Sequence, residues 1–393
     1  MKINTDAQKI EELLTRGVEE IIGSKELKEK LLSGKKLRVK LGIDPTSPNL
    51  HLGRSVPLLK LRDFQELGHQ VVLIVGDFTG VIGDTSDKES ERPMLLQEQV
   101  KTNLKNYKQQ AAKLIDIDKA EIEFNSKWLA KLDYNDVGEH ANQFSLAEFI
   151  ARDNIRRRLE AGMRVSLREV LYPLMQGYDS VAVKANVELG GTDQRFNMLA
   201  GRKLQEYFKQ EPQAIIMNPL VEGLDGRKMS SSWGNTVNFS DKPTDMFGKI
   251  MSISDDLIIK YFKYFSRAPL VEIRKMEKEL KEGKNPRDVK IDLAHEVVKM
   301  YYDGKEADKA KEDFINTFSK KHIPTDMLEL APSTMDIITV LVEAKLVFGT
   351  SEARRDIKGG GVKINDKKVD NFDAQVKSGD IVQKGKRFFV KIK

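Results

Sequence analysis

Two β-rich runs, LRVKLGI at residues 37–43 and VVLIVG at 71–76, flank a helical stretch over about 52–67, and this order restricts the fold more than any other feature of the chain. Parallel neighbours need a crossover, usually a helix, and a strand–helix–strand crossover closes right-handed in nearly every sheet. The runs therefore predict a βαβ unit. Further strands are predicted at EIEF (121–124), after a helix around 98–114, and at AIIMN (214–218), after a helix around 193–205. The fold class is α/β, with a Rossmann-like parallel sheet over residues 35–236 that carries a helical insert at about 130–186.

The remaining segments are simpler. Residues 1–34 read as an N-terminal helical segment with Leu13, Leu14, Val18, Ile21 and Ile22 on one stripe. The helical pattern from 245 to 321 predicts an all-helical domain over 237–325. Two prolines mark residues 322–334 as a linker, and a small α+β domain over 331–393 closes the chain.

Composition excludes several classes. No apolar run approaches the roughly 18 to 20 residues of a membrane span, and the N-terminus has neither a signal core nor a transit-peptide character, so cytoplasm is the expected location and no membrane partner is expected. With no cysteine and five scattered histidines, disulfides, a cysteine nucleophile and a structural zinc site are not expected, so no protein metal site is predicted. After Ala331 there are 13 Lys or Arg against 8 Asp or Glu, which puts five of the six net positive charges in the tail. Such an excess fits a solvated lysine-rich face or a phosphate-binding surface.

Neither GxGxxG nor GxxxxGK[ST] occurs, so phosphate must be held by another device. GIDPTSPNLHLGR (42–54) leaves the first strand, turns on Pro45 and Pro48, and enters a helix at HLG. This puts His51, Arg54 and free N–H groups at a helix N-terminus, where anions are favoured, and Gly53 lets a flat base approach the backbone. Alone, the segment also fits a plain turn and helix cap. DGRKMSSSWGN (225–235) is a loop of glycine, serine and cations, in which Lys228 and its hydroxyl neighbours can close over a pyrophosphate; a solvated turn is the alternative. In YPLMQGYDS (172–180), Tyr172, Gln176 and Asp179 stand at i, i+4 and i+7, one face of a helix.

Together, the two loops resemble the paired signatures of class I aminoacyl-tRNA synthetases, usually written HIGH and KMSKS, in the expected order. Arg54 stands where the first signature has its second histidine, and Ser231 where the second has its second lysine. GDFTGVIGDTSDKESERP (76–93), YPLMQGYDS and LGGTDQRFN (189–197) resemble the pocket motifs of bacterial-type tyrosyl-tRNA synthetases, and the likeness extends over nearly the whole chain.

This resemblance implies ATP-dependent activation of L-tyrosine to an adenylate, then transfer to the terminal ribose of tRNA(Tyr). It implies that Asp84, Tyr172 and Gln176 hold the ammonium group and that Asp179 accepts the phenol proton, with Gly42, Gln194 and Lys40 on the same side. Lys40 occupies a position where some members carry a tyrosine that donates to the phenol. Asp44, Gly53, Arg54, Gly191, Asp193 and Met229 are implied on the adenylate side. His51, Thr46, Lys228, Ser230 and Ser232 are implied as the catalytic set, with Lys88 and Arg92 on a loop beside the pyrophosphate. ATP is the expected nucleotide, with Mg2+ carried on its phosphates and no organic cofactor. The tail segment GTSEARRDIKGGGVKINDKKV (349–369) resembles a small RNA-binding domain, in which Thr350 or Ser351 would cap a helix presenting Arg354, Arg355 and Lys358 to tRNA. The family forms homodimers, and Phe144, Leu146, Phe149 and Ile150 of the insert are the expected contact surface.

Overall fold

The N-terminal segment departs from its continuous helical pattern. Helices α1 (Ala7–Thr15) and α2 (Ser24–Leu32) are separated by a short strand, β1 (Glu20–Ile22). Gly17 and Gly23 adopt φ of 62° and 75°, a region that disfavours other residues, and so cut the helix in two. The computed structural model describes residues 2–84, 94–319, 327–385 and 388–393, divided into two units, Met1–Asp308 and Lys309–Lys393.

In the first unit, β2 (Arg38–Ile43), α3 (Leu52–Glu66) and β3 (Gln70–Val75) form the expected βαβ element. Next come α4 (Thr79–Ile82), α5 (Gln97–Ala111), β4 (Glu121–Phe124) and α6 (Ser126–Leu129). The insert supplies α7 (Tyr134–Ala141), α8 (Leu146–Ile150), α9 (Asp153–Glu160) and α10 (Leu167–Ala182), before β5 (Val187–Gly191), α11 (Arg195–Tyr207) and β6 (Ala214–Asn218). The strand order is β1-β6-β5-β2-β3-β4, parallel throughout except for β1, which runs antiparallel to β6. Strand β5 lacks a clear strand pattern of its own, because VELGG is short and ends in two glycines.

From β2 the chain steps outward through β3 and β4, and then resumes on the opposite side of β2 with β5 and β6. The reversal point lies between β2 and β5. In open parallel sheets, ligands bind at the carboxyl ends of the strands at such a point. Val71, Val72, Ile74, Val187, Ile215 and Ile216 are buried in the strands, each contributing roughly 1.5–3 kcal/mol through burial.

Helices α12 (Pro243–Met251), α13 (Ile258–Phe265), α14 (Leu270–Lys281) and α15 (Pro286–Tyr301) belong to the same unit, and the unit boundary falls within α16 (Gly304–Ser319). They are tied to the sheet domain by the Tyr301 ring on Phe239, the Tyr261 hydroxyl on the Glu222 carbonyl, and Arg267 on Asp63 and Glu66. Among the described residues, no helix is long and apolar enough to cross a membrane.

The second unit pairs α17 (Ile337–Glu343) and α18 (Thr350–Lys358) with a five-stranded sheet in the order β7-β11-β10-β8-β9. Its strands are β7 (Leu328–Leu330), β8 (Val362–Ile364), β9 (Lys367–Lys368), β10 (Ile381–Lys384) and β11 (Phe388–Ile392). Ile337, Val340, Leu341, Ala353, Ile357, Val382 and Val390 form its own core. The hairpin tip at Asn365 and Asp366 has two positive φ values, 49° and 65°, the backbone of a tight two-residue turn. Strand β7 lies inside the expected linker, where pairing with β11 overrides the proline signal. Residues 322–326 of that linker lie outside the described residues. Neither Thr350 nor Ser351 caps α18: Gly349 holds the N-cap position, and Glu352 instead accepts from the Phe348 N–H at 2.8 Å.

Candidate active site

The carboxyl end of β2 delivers Asp44, whose carboxylate accepts from the Tyr172 hydroxyl at 2.8 Å and from Thr79 Oγ1 at 2.7 Å. A side chain at Gly76 would strike both Asp44 and Thr79, so that position admits only glycine. Burial pushes the Asp44 carboxyl up to about 6, even with its two donors. Thr79 in turn accepts from Asn125 Nδ2 at 2.9 Å, and the same amide lies 3.3 Å from Asp179 Oδ2. Trp128 completes the chain by donating its indole N–H to Asp179 Oδ1 at 2.7 Å. A continuous set of hydrogen bonds thus links Tyr172, Asp44, Thr79, Asn125, Asp179 and Trp128.

Asp179 is buried, and burial pushes its carboxyl up to about 7, against the pull of Lys40, Trp128 and Asn125. An ionised carboxylate has about four lone-pair sites, so two donors leave room for a phenol O–H. Tyr172 and Gln176 project from the same helix. Because the Tyr172 proton goes to Asp44 and the Gln176 amide nitrogen donates to Glu188 at 3.1 Å, both present oxygen acceptors to a ligand. Asp84 accepts from Gln194 Nε2 at 2.7 Å, and Gln194 Oε1 accepts from Asn197 at 3.0 Å. Tyr172 and Gln176 lie one turn apart on α10, and Asp84 is near enough to Tyr172 to act on its hydroxyl; two neutral acceptors and a carboxylate suit an ammonium ion. Gly42 is exposed and has no atom within 4 Å of a built Cβ, which leaves the strand end open.

Lys40 does not line this pocket. It is fully buried, and its ammonium contacts Ser180 Oγ at 2.6 Å, the Gln176 carbonyl at 3.0 Å and Glu188 Oε1 at 3.0 Å. A side chain on this face of β2 runs under α10, so its proton donors are used inside the protein.

The second region gathers the two loops. The backbone of residues 50–52 pairs with residues 237–239 through Leu52 N–H to Val237 O and Phe239 N–H to Leu50 O, both 2.9 Å. Gly53 N–H points at Met229 Sδ at 3.2 Å, which brings HLG and KMS into contact. His51 stands at the N-cap of α3, its Nδ1 buried without a partner among the described residues. Burial, with Arg54 and Lys228 nearby, pushes its imidazole down to about 3, so it is neutral at physiological pH. Lys228 pairs with Asp193 Oδ2 at 3.2 Å, just beyond β5, next to Gly191. Asn235 braces the loop: it accepts from Ser230 N–H at 2.8 Å and donates to Asp225 at 2.6 Å and to the Lys228 carbonyl at 3.1 Å. The Ser230 and Ser232 hydroxyls lie 2.9 Å apart, and Arg227 packs over the Trp233 ring. Arg54 is exposed at the start of α3, and Thr46 follows in the turn whose N–H bonds the Asp44 carbonyl. Lys88 and Arg92 lie outside the described residues.

Three site residues lie outside the sequence motifs, Asn125, Trp128 and Glu188, whereas Thr79 falls within the motif at 76–93. Asn125 and Trp128 follow directly after EIEF, and a polar residue at the carboxyl end of a parallel strand is the signal that points to them. In the second unit, Arg354, Arg355 and Lys358 are exposed on α18, with Arg354 over the Phe372 ring.

Residues 32–319 match the family described as tRNA synthetases class I (W and Y), and residues 314–391 match the tyrosine–tRNA ligase SYY-like C-terminal domain. Two curated relatives are the tyrosine–tRNA ligases of Shewanella oneidensis, 47% identical over 96% of this chain and 97% of that protein, and of Haemophilus influenzae, 46% identical over 99% and 98%. The fold is shared with a C-terminally truncated mitochondrial tyrosyl-tRNA synthetase of Aspergillus nidulans, at TM-score 0.66 and 22% identity over 79% of this chain and 94% of that one. It is shared too with the Archaeoglobus fulgidus tyrosyl-tRNA synthetase complexed with L-tyrosine, at TM-score 0.61 and 24% identity over 77% and 99%. With a family match over most of its length and near-complete coverage of relatives at this identity, the chain belongs to the tyrosine–tRNA ligase family of class I tRNA synthetases.

Proposed function

We propose that this chain activates L-tyrosine with MgATP, forming tyrosyl-adenylate and pyrophosphate, and then esterifies the tyrosine to the terminal ribose of tRNA(Tyr). The observation that carries this reading is the set of hydrogen-bonded acceptors around α10. It offers an ammonium site at Asp84, Tyr172 and Gln176, and at its other end a buried carboxylate, Asp179, held by Trp128 and Asn125. A buried phenol O–H needs an acceptor, and Asp179 is that acceptor.

The substrate carboxylate is ionised at pH 7, so the first step requires no general base. Its oxygen attacks the α-phosphorus in line, the P–O bond to pyrophosphate breaks, and the negative charge leaves on pyrophosphate. His51, neutral and with Nδ1 unpartnered among the described residues, is suited to hydrogen-bond the nucleotide rather than to carry a proton. Lys228, Ser230 and Ser232, with Thr46, Lys88 and Arg92, serve the phosphates as charge moves onto them. Lys228 must exchange Asp193 for phosphate, a swap between two anionic partners. Gly53, Arg54, Met229, Gly191 and Asp193 line the nucleotide side, and Asp44, bonded to Tyr172 and within the field of Arg54, stands where the two ends meet. Magnesium arrives with ATP as part of the substrate. In the second step a ribose hydroxyl attacks the acyl carbon, the ester forms, and AMP leaves.

The same reading makes the second unit a tRNA contact through Arg354, Arg355 and Lys358, the helices after residue 237 a second tRNA-facing region, and the enzyme a cytoplasmic homodimer. In the insert, Leu146 and Ile150 are exposed and available for a dimer contact, whereas Phe149 is buried and Phe144 half-buried. ATP–pyrophosphate exchange across the twenty amino acids tests the activity. Strong exchange with tyrosine alone is expected; exchange driven by tryptophan, or none at all, overturns the reading.

A further inference from the structure

Directly beneath the tyrosine-facing turn of α10 lies an ion pair that the mechanism above does not use. Lys40 on β2 and Glu188 on β5 are register partners on adjacent parallel strands, at the point where the sheet order reverses, and both are essentially inaccessible to solvent. Each reaches the same turn. The Lys40 ammonium binds the Gln176 carbonyl and Ser180 Oγ; Glu188 accepts from Gln176 Nε2 and Ser180 Oγ, both at 3.1 Å, and from the buried Gln213 amide. Asp179 sits between the two residues so gripped.

We propose that the Lys40–Glu188 pair is a positioning device for reading the substrate phenol: it fixes the 176–180 turn of α10 over the sheet and places a positive charge behind Asp179. Replacing such a pair by packed neutral groups is often neutral for stability. Its presence beneath a selectivity helix is therefore better explained by what it orients. Because Gln176 Nε2 donates to Glu188, the Gln176 oxygen is left for the ammonium site.

Among the described residues, the charged and titratable groups that face Asp179 are few. Lys40 from β2 favours the anion, Glu188 from β5 opposes it, and the Tyr172 hydroxyl lies on α10 itself. Trp128 and Asn125 contribute neutral donors, Asn125 leads through Thr79 to Asp44, and His140 of α7 stacks on the neighbouring Tyr178. Removing Lys40 alone leaves Asp179 with an opposing anion and without its cation; removing both charges largely cancels.

The inference rests on the tyrosine-activation reading, and the test separates the two. In full-length enzyme, tyrosine- and phenylalanine-dependent exchange is measured against pH for wild type, Lys40→Met and the double variant Lys40→Met/Glu188→Gln, with circular dichroism as a check on folding. Lys40→Met is expected to lower kcat/KM for tyrosine at pH 7 about tenfold, chiefly through KM, while changing phenylalanine much less. Its acid limb for tyrosine should move up by about one pH unit, the usual effect of losing a neighbouring opposite charge. In the double variant the limb should return toward wild type while the tyrosine-to-phenylalanine ratio stays reduced. A Lys40→Met enzyme with the wild-type ratio and limb overturns the proposal, as does a double variant displaced as far as the single. If Lys40→Met does not fold, the double variant, which leaves no unpaired buried charge from this pair, decides by its ratio alone. Absence of tyrosine-dependent exchange in the wild type would instead overturn the functional reading.

Discussion

The two ends of the active-site cleft are built on different physical terms. At the amino-acid end, Tyr172, Asp44, Thr79, Asn125, Asp179 and Trp128 form one hydrogen-bonded chain on regular elements, backed by the buried Lys40–Glu188 pair. At the phosphate end, Arg54 is exposed, Lys228 is half-buried with Asp193 as partner, and Ser230 and Ser232 lie on a loop braced by Asn235. A pocket that must reject a near-isosteric side chain gains from fixed, desolvated acceptors, because a competitor lacking the hydroxyl leaves them unpaired. Groups that follow charge onto a leaving pyrophosphate must instead be free to change partners. On the proposed function, specificity is located in the rigid end and rate in the adaptable end.

The largest expected effect lies at the adaptable end. Lys228→Ala should lower kcat for tyrosine-dependent exchange by roughly 10² to 10³, the usual loss on removing one transition-state charge partner, with little change in KM for tyrosine. A large rise in KM with unchanged kcat would erase the proposed division of labour. Every residue assigned to the two ends belongs to the first unit, so truncation after Ser319 should leave exchange near wild type while weakening transfer to tRNA. The salt dependence of tRNA binding should then flatten, by about 0.7 to 0.9 in log–log slope for each phosphate that the truncated enzyme no longer neutralises. Unaltered charging with an unaltered slope would remove Arg354, Arg355 and Lys358 from the tRNA interface.

At the rigid end, Asp179→Asn should reduce the preference for tyrosine over phenylalanine by about 10- to 100-fold, through tyrosine alone. In the wild type, kcat/KM for tyrosine should fall with an apparent pKa of about 6 to 7 as Asp179 and Asp44 take up protons; phenylalanine, which makes no demand on Asp179, should fall less steeply. Parallel pH profiles for the two substrates would show that another group reads the phenol.

The smallest effect concerns stability. The Asp179 carboxyl titrates at about 7 in the folded chain and near 3.9 when unfolded, so the folded state binds more protons across that window, and this group's contribution to stability declines as pH rises through it. Asp179→Asn should therefore raise Tm at pH 8 and have little effect near pH 4. An identical shift at both pH values would mean that the change is one of packing rather than of charge.

Much of this site is legible in the chain itself, and the exceptions share a cause. His51, Gly53, Lys228, Met229, Ser230 and Ser232 fall within short contiguous signatures, and Tyr172, Gln176 and Asp179 within one helical face. Asn125 and Trp128, just after β4, and Glu188, in β5, lie outside these signatures. Lys40 is the instructive case. Its position in LRVKLGI marks a strand residue near the site, yet whether its ammonium faces a ligand or Glu188 depends on β5, which begins only at Val187 and has a weak strand pattern of its own.

The sequence alone determined the βαβ start of the sheet, the two loops, the helix face that carries Tyr172, Gln176 and Asp179, and the concentration of positive charge after Ala331, because each is set by local periodicity, turn chemistry or composition. Only the tertiary structure decided which donors meet which acceptors. It paired the segment between α1 and α2 with β6 as β1, drew β7 out of the linker, and turned Lys40 inward to Glu188. The reason is that a buried polar group must find its partner wherever the fold brings one within about 3 Å, and that proximity is a property of strand order, not of neighbouring residues.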